Sequence, residues 1–142
     1  MRPIIELLKK RDATVYSLSP NDTVLEALRR MADHNVGAMM VMDQGRLVGV
    51  LSERDYTRKI ALEGRSSKDT KVKDIMTADV MTVTSQARTR ECMTLMSQKK
   101  FRHLPVVDGD KVVGMISIRD IMDDIIAENE QTISQLTSYI AS

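Results

Sequence analysis

Two stretches decide the fold: Gly49-Val50-Leu51-Ser52-Glu53-Arg54-Asp55 and Gly114-Met115-Ile116-Ser117-Ile118-Arg119-Asp120. They lie 65 residues apart, Ser52 to Ser117. Working outward at that offset, Glu26, Met31, Val41, Asp43 and Val48 recur as Glu91, Met96, Val106, Asp108 and Val113. Together with the Gly, Ser, Arg and Asp of the two stretches, nine identities fall in register without a gap. Chance would give roughly two or three over such a span at average residue usage. A fixed period of this kind marks a duplicated supersecondary unit.

Each copy reads as strand, helix, strand, strand, helix. In the first, residues 15–18 form a short strand and Ser19-Pro20-Asn21-Asp22 a turn. Thr23 and Glu26 fit a capping box at a helix start. Val24, Ala27, Leu28 and Met31 follow at i, i+3, i+4, i+7, which is one helical face. Residues 38–42 and 47–51 are apolar runs joined by Asp43-Gln44-Gly45-Arg46, a hairpin pattern. A second helix is expected over 53–62. In the second copy the matching elements are a strand over 80–83, a helix over 90–99, a hairpin over 103–107 and 112–116, and a helix over 118–127. Residues 64–73 read as an exposed polar linker, 1–13 as a lead-in and 128–142 as a separate amphipathic tail helix carrying Ile133, Leu136 and Ile140. The repeats are then 14–63 and 74–127. A 60-residue unit is marginal alone, so the two copies are expected to share one core across an approximate two-fold axis.

Composition narrows the functional classes. A net charge of +1 offers no global field for nucleic acid or an anionic membrane surface. No apolar run is long enough to span a bilayer, and residues 1–10 lack a secretory pattern. The single Cys, Cys92, excludes an internal disulfide and suits a reducing cytosol. It aligns with Ala27 on an apolar face and reads as a buried thiol. With aromatics at only 3%, the core must be aliphatic and methionine-rich, and the 11 Met are mostly core filling. Two His and one Cys give no recognisable metal site, and there is neither a nucleophile elbow nor a phosphate-cradling glycine loop. No enzyme is expected. His34 falls on the polar side of its helix and reads as exposed.

Both stretches resemble the closing signature of cystathionine-β-synthase (CBS) repeats: Gly, two apolar residues, Ser or Thr, any two, Asp. Ser19 to Ala27 is similar to that family's first-helix entrance, His103-Leu104-Pro105-Val106-Val107-Asp108 to its second strand, and Asp74-Ile75-Met76-Thr77 to the segment that often opens a repeat. The resemblance implies an α/β fold of two tandem βαββα repeats with pseudo-two-fold symmetry, sheets packed together and helices outside. It also implies homodimers and a regulatory role toward a separate protein.

By the same resemblance, Ser and Asp of each signature hold ribose hydroxyls, and each groove mixes both repeats. An ionised Asp can accept from both hydroxyls of a cis diol. One groove would take Ser52 and Asp55 with Thr82, Val83, Phe101, Arg102 and His103, and Arg119 at its phosphate end. The other would take Ser117 and Asp120 with Tyr16, Ser17, Val36, Gly37 and Ala38, and Arg54 toward phosphate. The ligands implied are AMP, ADP, ATP or NAD. Arg102-His103 stands where the first copy has Gly37-Ala38, so the Asp55 groove should favour the more anionic ligand. Two plainer readings compete. Ser-x-x-Asp is also a helix capping box, a role Ser can combine with ligand contact. The whole module could also be a structural dimerisation unit with empty grooves. Lys99-Lys100-Phe101-Arg102-His103 is a local basic cluster, short of a nucleic-acid footprint.

Overall fold

A computed structural model describes residues 2–9 and 15–141. The part of the expected lead-in and first-repeat boundary that falls on residues 1 and 10–14 lies outside them, as does residue 142. The elements run α1 (Ile4–Lys9), β1 (Ser17–Leu18), α2 (Val24–His34), β2 (Ala38–Asp43), β3 (Arg46–Ser52), α3 (Glu53–Tyr56), α4 (Val72–Ile75), α5 (Thr89–Lys99), β4 (His103–Asp108), β5 (Lys111–Ser117) and α6 (Ile118–Ala141). The fold is mixed α/β, as the sequence pattern predicts.

The duplication extends to register. β1 lies parallel to β2 with Leu18 against Val41, and Val83 bridges Val106 in parallel fashion. Ala38 faces Ser52 and Val41 faces Gly49 in the first hairpin; His103 faces Ser117 and Val106 faces Gly114 in the second. Both hairpins slip at the same place, after Val41 and after Val106. In the first, Gln44 and Gly45 form the two-residue loop, with φ 51° and 78°. That left-handed pair is the twist a tight hairpin needs, and Gly supplies it at least strain. The strands expected over 15–18 and 80–83 are shorter than expected. Only Ser17–Leu18 pairs in the first copy, and only Val83 makes a bridge in the second.

The expected helical faces are buried. Val24, Ala27 and Met31 are 0–1% exposed, and Thr23 caps α2 by accepting from the Glu26 amide at 3.1 Å. The helix expected over 53–62 is α3 followed by a π turn, Thr57–Ala61. The tail is not a separate helix: α6 runs unbroken for 24 residues. Nothing in Glu128-Asn129-Glu130-Gln131 breaks a helix, and no Gly or Pro interrupts it. Its outer apolar residues stay exposed: Ile133, Leu136 and Ile140 are 64%, 58% and 83% exposed.

The single shared core is a second correction. The described residues form two apolar clusters. One holds Leu18, Val24, Met31, Val41 and Leu51 with Val72 and Ile75. The other holds Val83, Cys92, Met96, Val106 and Ile116 with Ile4, Leu7 and Leu8. Each repeat is therefore completed by the short helix that precedes the other one. The supposed linker is accordingly not all exposed, since Thr70 and Val72 are buried. The two crossing segments make matching bonds. Val72 N–H donates to Asp22 C=O and Lys73 N–H to Pro20 C=O; Ile4 N–H donates to Ala87 C=O and Ile5 N–H to Ser85 C=O. Arg2 forms a short ion pair with the buried Asp124, tying the first segment to α6.

One difference between copies sits at position 20. Pro20 becomes Ser85, whose amide (2.9 Å) and hydroxyl (2.6 Å) donate to the two oxygens of Asp108. Those bonds, with Lys111 nearby, hold the Asp108 carboxyl below its ordinary 3.8.

Candidate functional site

Among the described residues, clefts open on both sides of the contact between the repeats. Ser52 and Asp55 line one, of about 550 Å³. Ser117 and Asp120 line the other, of about 610 Å³. Both volumes suit a nucleotide-sized ligand.

Local bonding fixes these residues. Ser52 and Asp55 form a complete capping box at the start of α3. The Asp55 amide donates to Ser52 Oγ (3.2 Å) and the Ser52 amide to Asp55 Oδ2 (2.9 Å). Asp120 repeats this with Ser117, at 3.1 and 2.8 Å. The cap and the cleft are compatible. On the carboxylate these bonds fall on Oδ2, which in the first copy also accepts from the Ser52 hydroxyl at 3.1 Å, and a carboxylate has about four acceptor sites. Asp55 Oδ1 lies 3.8 Å from Lys59 Nζ.

The opposite walls are placed by helix ends. α2 and α5 both stop on a left-handed residue, Asn35 (φ 53°) and Lys100 (φ 60°). In the first copy the Asn35 amide donates to Ala32 C=O and the Val36 amide to Met31 C=O, a cap that reverses the chain. Two residues on, Gly37 C=O accepts from the Glu53 amide (3.0 Å) and Arg102 C=O from the Ile118 amide (2.9 Å). Each wall is thus stapled to the helix start that carries the Ser and Asp. Gly37, Arg102 and His103 line both clefts, although Arg102 and His103 were expected in the Asp55 cleft alone. Burial pushes the His103 imidazole below its ordinary 6.5; Asp120 opposes this and Arg102 adds to it. Burial thus favours the neutral ring.

Of the other expected residues, Phe101 lines the Asp55 cleft, and Tyr16, Val36 and Ala38 line the Asp120 cleft. The two arginines are exchanged relative to expectation: Arg54 lines the Asp55 cleft and Arg119 the Asp120 cleft. Thr82, Val83 and Ser17 line neither cleft. Val83 points into the core at 8% exposure, and Thr82 is exposed on the other side of the same extended segment.

Several lining residues were missed. Arg58, Lys99, Lys100 and Asp79 join the Asp55 cleft, and Ile5, Leu8 and Lys9 of α1 join the Asp120 cleft. The basic run over 99–103 was the available signal for the lysines. His34 is not simply exposed. Its ring stacks on Tyr16, with centroids 3.6 Å apart and planes at 18°. Among the described residues, no helix is long and apolar enough to cross a membrane.

Comparison with known proteins agrees with this architecture. The CBS domain family model matches residues 8–62 and 72–127. A mitochondrial CBS domain-containing protein of Arabidopsis thaliana is 39% identical over 137 residues, 93% of this chain and 66% of that protein. The chain thus spans just under two thirds of that relative's length. A putative signal-transduction protein with CBS domains from Burkholderia ambifaria is 43% identical, with a TM-score of 0.85, covering 87% of this chain and 93% of the other. A CBS domain pair solved in complex with 5′-methylthioadenosine and S-adenosyl-L-methionine shares the fold at TM-score 0.78 and 22% identity, covering 89% and 98% of the two chains.

Proposed function

The chain belongs to the CBS domain family, and on that premise we propose that it is a non-catalytic regulatory module that binds adenine nucleotides in its two clefts. One observation carries this reading: Asp55 and Asp120 each stand at a helix start, fixed by a cap bond, on the wall of a cleft. A carboxylate held in that way is pre-oriented for a sugar diol. Ser52 and Ser117 add hydroxyls beside it, and the strand residues supply an apolar slot for the base. The adenosine-containing ligands of the distant CBS pair support the ligand class by analogy.

The ligand set is AMP, ADP, ATP or NAD. The Asp55 cleft gathers more basic side chains, Arg54, Arg58, Lys99, Lys100 and Arg102 against Lys9, Arg102 and Arg119, although Glu53, Asp55 and Asp79 leave the two linings with the same net charge; its extra guanidinium and ammonium donors suit the more phosphorylated member. Arg54 and Arg119 serve the phosphate end of their own clefts. Binding changes the packing of the repeats, and a separate protein reads the change; the shift cannot exceed the ligand's differential affinity for the two states. The module works as a homodimer in a reducing compartment such as the cytoplasm, without nucleic acid or membrane. A thermal melt tests the reading: a ligand that binds only the folded chain raises the midpoint, and flat midpoints for all four nucleotides at millimolar concentration refute it.

The second reading, a dimerisation module with empty clefts, has one observation in its favour. The outer turns of α6 expose Ile133, Leu136 and Ile140. The same melts separate the two.

A further inference from the structure

The family match ends at residue 127, but α6 runs on to Ala141. Along it, Met122, Ile126, Asn129, Ile133, Leu136 and Ile140 follow one another at steps of four, three, four, three and four. That repeat of 3.5 residues sets them on one line, the seam of a coiled coil. Ile126, Ile133 and Ile140 hold its a positions and Met122, Asn129 and Leu136 its d positions. The line extends over about 27 Å of helix. Ile121, Asp124 and Ile125 lie on a different side, buried or packed against the second repeat. The five apolar members of the seam are 51–83% exposed.

Propensity alone does little for the turns past residue 127. Isolated helices shorter than about 12–15 residues are marginal in water, and Thr132, Ile133 and Thr137 are weak helix formers. Burial of the apolar line is what stabilises such a helix, and charge says against what. No Lys or Arg follows Arg119 in the sequence, so this is not a helix for an anionic membrane surface. The line does match itself. In a parallel, in-register pair Asn129 meets its own copy, and each amide can donate to the other. Glu130, at e, then stands toward Ile125 of the second copy, so no like charges are opposed. With the helices antiparallel and their ends matched, Asn129 meets Ile133 and Glu130 meets Glu130. That setting buries an unpaired amide and opposes two carboxylates.

We propose that the outer turns of α6 form a parallel two-stranded coiled coil with the same helix of a second copy, with Ile126, Ile133, Leu136 and Ile140 in its seam and Asn129 setting the register. The proposal rests on the homodimer reading above and names the surface that carries it. Because α6 opens with Asp120 on a cleft wall, both copies then carry their Asp120 clefts at the same end of the seam.

The test is sedimentation equilibrium of the full chain at micromolar concentration. Ile133→Glu combined with Leu136→Glu puts charges into the seam and should weaken the dimer roughly a hundredfold or more. Gln131→Glu combined with Ser138→Glu adds the same charge on the outer face and should leave the dimer intact. Leu136→Cys tests the orientation without adding charge. Position 136 meets itself only in the parallel setting, and Cys92 is buried, so mild oxidation should give a disulfide-linked dimer on non-reducing electrophoresis. A dimer that survives Ile133→Glu with Leu136→Glu overturns the seam and leaves the homodimer reading standing. Failure of Leu136→Cys to cross-link in a dimeric chain overturns the parallel setting. A trimer or tetramer that the seam charges dissolve overturns the two-stranded form. A monomeric parent overturns the homodimer reading and the seam together, and leaves the stripe to a helix of another protein.

Discussion

Leu8, near the start of the chain, lies directly over Gly114 in β5: a Cβ at position 114 would stand 3.2 Å from Leu8 Cδ2. Met76 occupies the corresponding place over Gly49, where a Cβ would stand 2.5 Å from its Sδ. The glycines of the two signatures are thus seats for the crossing segments. This closes each repeat with a piece of the other's approach and brings the helix starts bearing Asp55 and Asp120 onto cleft walls.

The two seats differ in tightness, which gives a stability test. At Gly49 the backbone oxygen of Thr77 is also close, at 3.0 Å, and Thr77 is pinned to Val50 by two backbone bonds of 2.9 and 3.0 Å. Gly49→Ala should cost about 1–3 kcal/mol by overpacking. Gly114→Ala meets only a flexible leucine tip and should cost less. Urea melts of both variants check the order.

Truncating the crossing segment should damage the repeat it completes. Ile4 is fully buried among second-repeat residues. Ile4→Ala should cost about 2–5 kcal/mol, far above the effect expected of an exposed chain end. Hydrogen exchange should place the loss of protection in β4 and β5 and spare β2 and β3.

Cap bonds and ligand bonds can be separated by comparing Thr23 with Ser52. Both accept from a helix amide, at 3.1 and 3.2 Å, so either change to Ala should cost about 1 kcal/mol. Thr23 lines neither cleft. Only Ser52→Ala should also weaken nucleotide binding, as calorimetry on both variants would reveal.

Cys92 is buried, and burial, followed by Glu91, pushes its thiol from 9.0 up to about 11. Its folded pKa is raised, so its contribution is complete below pH 9 and is lost as the pH rises from 9 to about 11. Cys92→Ala should flatten the stability profile over that window. The folded protein should resist a thiol reagent at pH 8 and react once unfolded.

Much of this was legible in the sequence. The 65-residue offset locates both hairpins, both helical faces and both Ser–Asp pairs, because these elements tolerate no insertion between copies. The crossing segments escape it. Ile4, Leu7 and Leu8 correspond to Val72, Ile75 and Met76 at an offset of 68, three residues out of register. In the sequence the extra residues fall between α1 and β1. A gapless comparison therefore reads α1 as a lead-in and 64–73 as a connector. Arg54 and Arg119 were misassigned for another reason. Sequence tells that they neighbour the acidic residues, whereas which cleft they enter depends on how the repeats dock. The Tyr16–His34 stack depends on how α2 ends, again a tertiary matter.

The central claim is that two carboxylates each serve a separate nucleotide site. Titration calorimetry of the full chain with AMP, ADP, ATP and NAD, repeated on Asp55→Ala, Asp120→Ala and the double variant, tests it most directly. Two binding events are expected for at least one nucleotide, one surviving in each single variant and none in the double. Heat that persists unchanged in the double variant, or no heat from any of the four at millimolar concentration, would contradict it.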